Sequence, residues 1–222
     1  MTMKKKILAV ILACALSVGI GIGGTMAWLT AGSSTVTNTF TVGDITIHLQ
    51  EHVYDPTEKA LGDNTTTSGN DNYKFVPGDT LPKDPYVTID TTSEACYLFI
   101  HVEELNNTIT VDGEDEPIIR YAVDTSVWTA YDGYDGFYYQ ELDADDIAAG
   151  DPWYILTGGT TENLNGQVTV SENVTKDDVA TIKTSQPQLI FTAAAVQSDH
   201  VDTVDDAWAR LPSEFTGITP ST

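Results

Sequence analysis

Residues 40–52 read Phe40-Thr41-Val42-Gly43-Asp44-Ile45-Thr46-Ile47-His48-Leu49-Gln50-Glu51-His52, and two incompatible structures compete for the last five positions. His48-Leu49-Gln50-Glu51-His52 has the H-x-x-E-H spacing of the inverted zinc-peptidase motif. That motif requires a helix, where residues four apart lie on one face and meet the same metal. The residues before it alternate instead. Phe40 and Val42 form one run of period two, and Ile45, Ile47 and Leu49 form a second. The change of phase falls at Gly43-Asp44, as a bulge would produce. Helix start signals are missing, Thr46-Ile47 is β-branched, and Asp55-Pro56 follows closely. On a strand, His48 and His52 would share a face but stand about 13 Å apart at the ~3.3 Å rise per residue. No single zinc ion spans that distance, so the strand reading makes the motif a chance match. The metal candidates it offers are His48, Glu51 and His52, and the sequence holds two further histidines, His101 and His200.

The same period recurs along the chain. Tyr86–Ile89, Cys96–Val102, Phe137–Tyr139, Trp153–Leu156, Gln167–Val170 and Gln188–Val196 are rich in β-branched and aromatic residues. Turn clusters separate them: Val76-Pro77-Gly78-Asp79, Val111-Asp112-Gly113, Asp132-Gly133 and Thr157-Gly158-Gly159. Three short stretches read as helix. Thr175 and Thr203 are each followed three residues on by an acid, the signature of a capped N-terminus, and Leu142–Ala149 adds a turn or two. Many evenly spaced strands with few helices predict an all-β fold, a jelly-roll-like β-sandwich with a few short helices. Asp55–Tyr73 reads as a solvated loop.

The N-terminus, Met1 to Lys6 with three lysines followed by an apolar run to Gly23, has the layout of a secretory signal. Thr25 and Ala27 supply the small residues at positions −3 and −1, which makes Trp28 the first processed residue. The expected organisation is a signal peptide over 1–27, a short N-terminal segment over 28–40, a β-sandwich domain over 41–212 and a flexible tail over 213–222. All 33 acidic residues lie after Ala27, where only seven basic ones remain, so the processed chain carries a formal charge of −26. That charge argues against nucleic acid, whose phosphates require Lys and Arg, and against anionic membrane surfaces. It disfavours close association unless salt, low pH or divalent cations screen it. Cys96 is the one cysteine left after processing, so no intrachain disulfide can form; its apolar neighbours suggest a small core residue.

There is no G-x-S-x-G, no glycine-rich phosphate loop and no paired CxxC. Three acidic clusters, Asp112–Glu116, Asp143–Asp146 and Asp202 with Asp205-Asp206, have the donors for structural calcium, although none has EF-hand spacing. No cofactor is otherwise implied. The stretch Tyr131-Asp132-Gly133-Tyr134-Asp135-Gly136-Phe137-Tyr138-Tyr139 suits either a recognition loop or a hairpin whose rings pack half into the core.

Gly24-Thr25-Met26-Ala27-Trp28-Leu29-Thr30, followed by Thr37–Ile45, resembles the processing region of secreted Gram-positive proteins cut by an ER-type signal peptidase, the TasA and camelysin family of biofilm-matrix fibre proteins. Val76-Pro77-Gly78-Asp79-Thr80 through Lys83-Asp84-Pro85-Tyr86 is similar to the family's P-G-D…K-D-P stretch. Phe191–Ser198 with Ala207-Trp208 is similar to its A-x-A-V-Q…A-W ending. Residues from about 105 to 165 carry no such likeness. The resemblance implies a jelly roll exported unfolded, trimmed after Ala27 and able to polymerise, the freed segment entering the next subunit as a strand. On this chain the donor runs from Trp28 to about Thr39, with Trp28, Leu29, Val36 and Phe40 as apolar anchors. Ala31-Gly32-Ser33-Ser34 departs from the acidic turn that relatives often carry. The partners implied are another copy of the chain head to tail, the signal peptidase, and a minor fibre or anchoring protein. The location implied is the extracellular matrix or cell surface. Some family members are described as metallopeptidases, but the strand reading of H-x-x-E-H gives no ground for that activity, and the protein is expected not to be an enzyme. The alternatives are a camelysin-like zinc metallopeptidase and a monomeric surface adhesin using Tyr131–Tyr139.

Overall fold

A computed structural model describes residues 44–70, 73–158 and 166–217. The order of elements is β1 (Ile47–Asp55), β2 (Ala60–Thr66), β3 (Thr80–Pro82), β4 (Tyr86–Ile89), β5 (Cys96–Leu105), β6 (Thr108–Val111), β7 (Glu114–Pro117), β8 (Ile119–Arg120), β9 (Thr129–Ala130), β10 (Phe137–Leu142), α1 (Ala144–Ala149), β11 (Trp153–Tyr154), β12 (Gln167–Val170), α2 (Lys176–Ser185), β13 (Gln188–Gln197), α3 (Val204–Trp208) and α4 (Ser213–Thr216). The fold is all-β and sandwich-like, with antiparallel sheets and few short helices.

Two four-stranded sheets, ordered β11-β4-β1-β2 and β13-β5-β10-β9, face a shared apolar core. A smaller sheet, β3-β12-β8, and the β6–β7 hairpin complete the set. β5 explains the arrangement best. Its run Cys96-Tyr97-Leu98-Phe99-Ile100 is apolar at every position, as expected of a strand covered on both faces. Cys96, Leu98, Ile100 and Val102 enter the main core with Val87, Ile89 and Trp128. Tyr97 and Phe99 point the other way, into a second cluster with Tyr131, Phe137, Ala207 and Trp208. A third, smaller cluster of Ile109, Ile118, Val174 and Ile182 lies under α2.

Local chemistry accounts for the ends of these elements. Asp112-Gly113 closes the β6–β7 hairpin with both residues at positive φ, 52° and 93°, the two-residue turn that Asp-Gly favours. Asp143 accepts hydrogen bonds from the Asp145 and Asp146 N–H groups at the start of α1, and Asp146 accepts one from the Asp143 N–H. Asp178 caps α2 by accepting from the Thr175 N–H and hydroxyl, and Thr203 Oγ1 accepts from the Asp206 N–H at α3.

Two expectations need correction. Ala60–Thr66, within the stretch expected to be a solvated loop, forms β2 and pairs antiparallel with β1. Ser213–Thr216, expected to be flexible tail, forms α4, whose Phe215 ring meets Phe137 edge-on at 5.7 Å.

Candidate functional site

His48, Glu51 and His52 all lie on β1, and the strand sends each to a different partner. His48 is exposed and its Nε2 meets Asp90 Oδ1 at 3.1 Å. Glu51 is buried against Lys83, with Nζ 2.6 Å from Oε2. His52 Nδ1 lies 2.6 Å from Oδ2 of the fully buried Asp84. The remaining histidines are elsewhere: His101 stacks on Phe137 at 3.8 Å, and His200 is exposed beside Asp199. Among the described residues no three His, Cys, Asp or Glu side chains converge as a metal site would require.

The spacing of β1 has a different purpose. β4 pairs with Ile47–Gln50 and β2 with Glu51–Asp55, so β1 passes from one neighbour to the other in its middle, with a register shift between His52 and Tyr54. Side chains complete the ladder there. Asp84 accepts the His52 N–H through Oδ1 (3.1 Å), just before Pro85, which has no N–H to contribute. Asn70 donates from Nδ2 to the His52 carbonyl (2.9 Å) and accepts the Tyr54 N–H at Oδ1 (2.8 Å). It also donates to Glu51 Oε1 twice, from its backbone N–H (2.7 Å) and from Nδ2 (2.9 Å). Lys83 Nζ completes the group, 5.4 Å from the ring centroids of both Tyr73 and Phe191. Lys83-Asp84 is the crossover from β3 to β4, so this cluster holds two sheets in register. Burial pushes the Asp84 carboxyl above the ordinary range, opposed by the His52 hydrogen bonds. Burial likewise raises the Tyr73 phenol well above its ordinary value, with the Glu51 and Asp84 charges adding to the effect.

A second feature is the edge formed by β13. Among the described residues it pairs only with β5, along all ten positions from Gln188↔Leu105 to Gln197↔Cys96. The Ser198 N–H donates to the Ala95 carbonyl (2.9 Å), and the Val102 N–H donates away from β13, to the Gly136 carbonyl (2.9 Å). Strand alternation then turns the backbone groups of Ile190, Thr192, Ala194 and Val196 toward β5, and those of Leu189, Phe191, Ala193 and Ala195 outward. The side chains of that outward set are half-buried against the main core, as are those of Ile45, Ile47 and Leu49 on and before β1. β13 carries no charge and no proline.

The aromatic stretch is a packed hairpin. Tyr131 stacks on Trp208 at 4.5 Å and its hydroxyl donates to Asp205 (3.0 Å). Phe137 meets Trp208 edge-on at 5.0 Å, and Tyr134, the exposed ring of the stretch, lies 4.6 Å from Trp208. The tight turn requires Gly136, where φ is +79° and a Cβ would stand 2.5 Å from the Val102 carbonyl oxygen. Cys96 is fully buried, and burial pushes its thiol up to about 11.

Thr25, Ala27 and Trp28 of the expected cleavage site, and Trp28, Leu29, Val36 and Phe40 of the expected donor strand, lie outside the described residues. Among the described residues no helix is long and apolar enough to cross a membrane. Sequence reasoning missed Lys83, Asn70 and Asp84 as members of one cluster; the signal that pointed to it was H-x-x-E-H on a strand with K-D-P downstream. Comparison with family models, curated proteins and solved structures returns no match to this chain.

Proposed function

We propose that this chain is a secreted structural subunit that polymerises head to tail, the processed segment from Trp28 to about Thr39 of one copy adding as a strand to β13 of the next. The observation that carries this reading is the β13 edge itself. Native sheets blunt their edges with charge, proline or a covering element. Ten residues without charge or proline form this one; β1 comes close to it without pairing, and its outward N–H and C=O groups flank a half-buried apolar strip. An extended segment laid there gains ladder hydrogen bonds and covers that strip, the strand-addition mode of recognition. The proposed donor suits the task, because Trp28 to Thr39 contains no charged residue and supplies Trp28, Leu29 and Val36, with Phe40 just beyond. The likeness to TasA-like fibre proteins supports the same mechanism, with cleavage after Ala27 as the switch that frees the donor. The peptidase alternative gains no support from a motif whose three side chains are held by Asp90, Lys83 and Asp84.

The test is a deletion of Trp28 to Val36 in the processed protein. Soluble monomers are expected where the intact protein elongates, as judged by electron microscopy at neutral and acid pH. Fibres of equal yield from the truncated form would refute strand donation, and stoichiometric zinc in elemental analysis would revive the peptidase reading.

A further inference from the structure

Three groups that the assembly does not use meet in the cluster on β1: an amine, a carboxylate and a carboxamide. Glu51 holds the Lys83 amine on one oxygen, with Nζ 2.6 Å from Oε2, and the Asn70 amide on the other, with Nδ2 2.9 Å from Oε1. The Asn70 carbonyl oxygen accepts the Tyr54 N–H at 2.8 Å. The Lys83 and Glu51 side chains are 12% and 6% exposed, and the rings of Tyr73 and Phe191 flank the amine at 5.4 Å each. A nucleophile, a proton carrier that touches both nucleophile and leaving group, a polarised acyl carbon and a site shielded from water are the components of an acyl transfer.

We propose that Lys83 and Asn70 are joined by an intramolecular isopeptide bond, formed by the protein itself with Glu51 as the catalytic proton carrier. The step begins when a proton passes from Nζ to Glu51 Oε2 along their hydrogen bond. Both side chains are shielded from water, so the transfer runs directly along that bond. The lone pair of Nζ attacks Cγ of Asn70, and negative charge develops on Oδ1, where the Tyr54 N–H is already placed to receive it. The Glu51 carboxyl then rotates about its last bond, brings the protonated oxygen to the place that Oε1 held beside Asn70, and delivers the proton to Nδ2. The Cγ–Nδ2 bond breaks, Glu51 takes the second proton from Nζ and passes it to the released ammonia, and the nitrogen departs as ammonium. Lysine ammonium and asparagine amide become a secondary amide and ammonium; nothing is oxidised and no co-reactant is needed. Holding both reactants on one carboxylate makes the reaction unimolecular, which is the larger part of its acceleration. Glu51 comes from β1, Asn70 follows β2, and Lys83 precedes β4, so the bond ties the β1–β2 hairpin to the crossover between two sheets.

The experiment is mass spectrometry on the whole chain as purified, followed by peptide mapping with trypsin. The expected intact mass is lower than the sequence mass by about 17 Da, one ammonia. The expected map lacks cleavage after Lys83 and contains a branched peptide joining Lys83 to the segment that holds Asn70. Glu51→Gln, which keeps the shape of the side chain, and Lys83→Arg should each restore the full mass, with folding checked by circular dichroism. Full mass in the native chain after days at 25 °C would overturn the proposal and leave the three groups as a buried salt bridge with its hydrogen bonds. A loss of the same mass confined to an unbranched peptide, as from a cyclised asparagine, would overturn it as well.

Discussion

If copies join through β13 as proposed, proline at position 193 should separate assembly from folding. The N–H of Ala193 points away from β5 by the alternation that Ser198 and Val102 fix, so its removal takes nothing from the β5–β13 ladder. Edge positions of this kind tolerate proline. In the proposed fibre the incoming strand would lose a donor there. The lost bond is worth about 1 kcal/mol, and the carbonyl left buried without a partner costs ~1–3 kcal/mol more. Each junction therefore weakens by about 2–4 kcal/mol, a factor between tens and several hundred at 1.4 kcal/mol per tenfold. Ala194→Pro is the contrast. Its N–H faces β5 opposite Phe99, in the middle of the central sheet, and its loss should destabilise the monomer itself by ~3 kcal/mol or more. The assay pairs thermal melts with the critical concentration for elongation, followed by light scattering of processed protein. An Ala193→Pro variant that melts like the parent and still assembles at the parent's critical concentration would refute the placement of the donor on β13.

Other outcomes follow from the same structure. Burial holds the Asp84 carboxyl above the ordinary value of 3.8, so the folded chain binds that proton more tightly than the unfolded chain. The stability from this group is fully present below the ordinary value and is lost as pH rises through the raised one. Asp84→Asn should remove that slope from melts run between about pH 3 and pH 7, and a slope of parental size in the variant would assign it to another group. Trp208→Ala removes the ring on which Tyr131, Tyr134 and Phe137 pack. The expected cost is ~3–5 kcal/mol, which lowers Tm by roughly 6–20 °C in a domain of this size. The Cys96 thiol, fully buried and pushed up to about 11, should resist alkylation in the native protein at mildly alkaline pH and react on unfolding, which a timed mass assay reads directly.

The strands were legible where side chains alternate or where both faces are covered. Ile45, Ile47 and Leu49 announce β1, and the unbroken Cys96–Ile100 run announces a central strand. Thr203 with Asp206 marked α3 correctly because a cap is a local signal. β2 was not legible. Ala60–Thr66 has almost no apolar face, and what fixes it is backbone pairing to β1 beside a register shift that the Asn70 side chain fills. α4 was hidden because the value of Phe215 comes from Phe137, distant in sequence. The charged cluster was read from the wrong side. Glu51 looked like the base of a metal motif, while its partners Asn70 and Lys83 lay in a polar run and in a three-residue motif that carry no pairing signal of their own.

The central sheet cannot close until β13 has been made. β5 finds its longest partner, β13, roughly eighty to a hundred residues further along the chain, and contacts of such long range form slowly. Until then the segment Cys96–Ile100 exposes apolar side chains on two faces. A chain with that topology leaves its central strand unpaired for longer than one built from neighbouring hairpins. In the same interval its apolar run is open to association between copies.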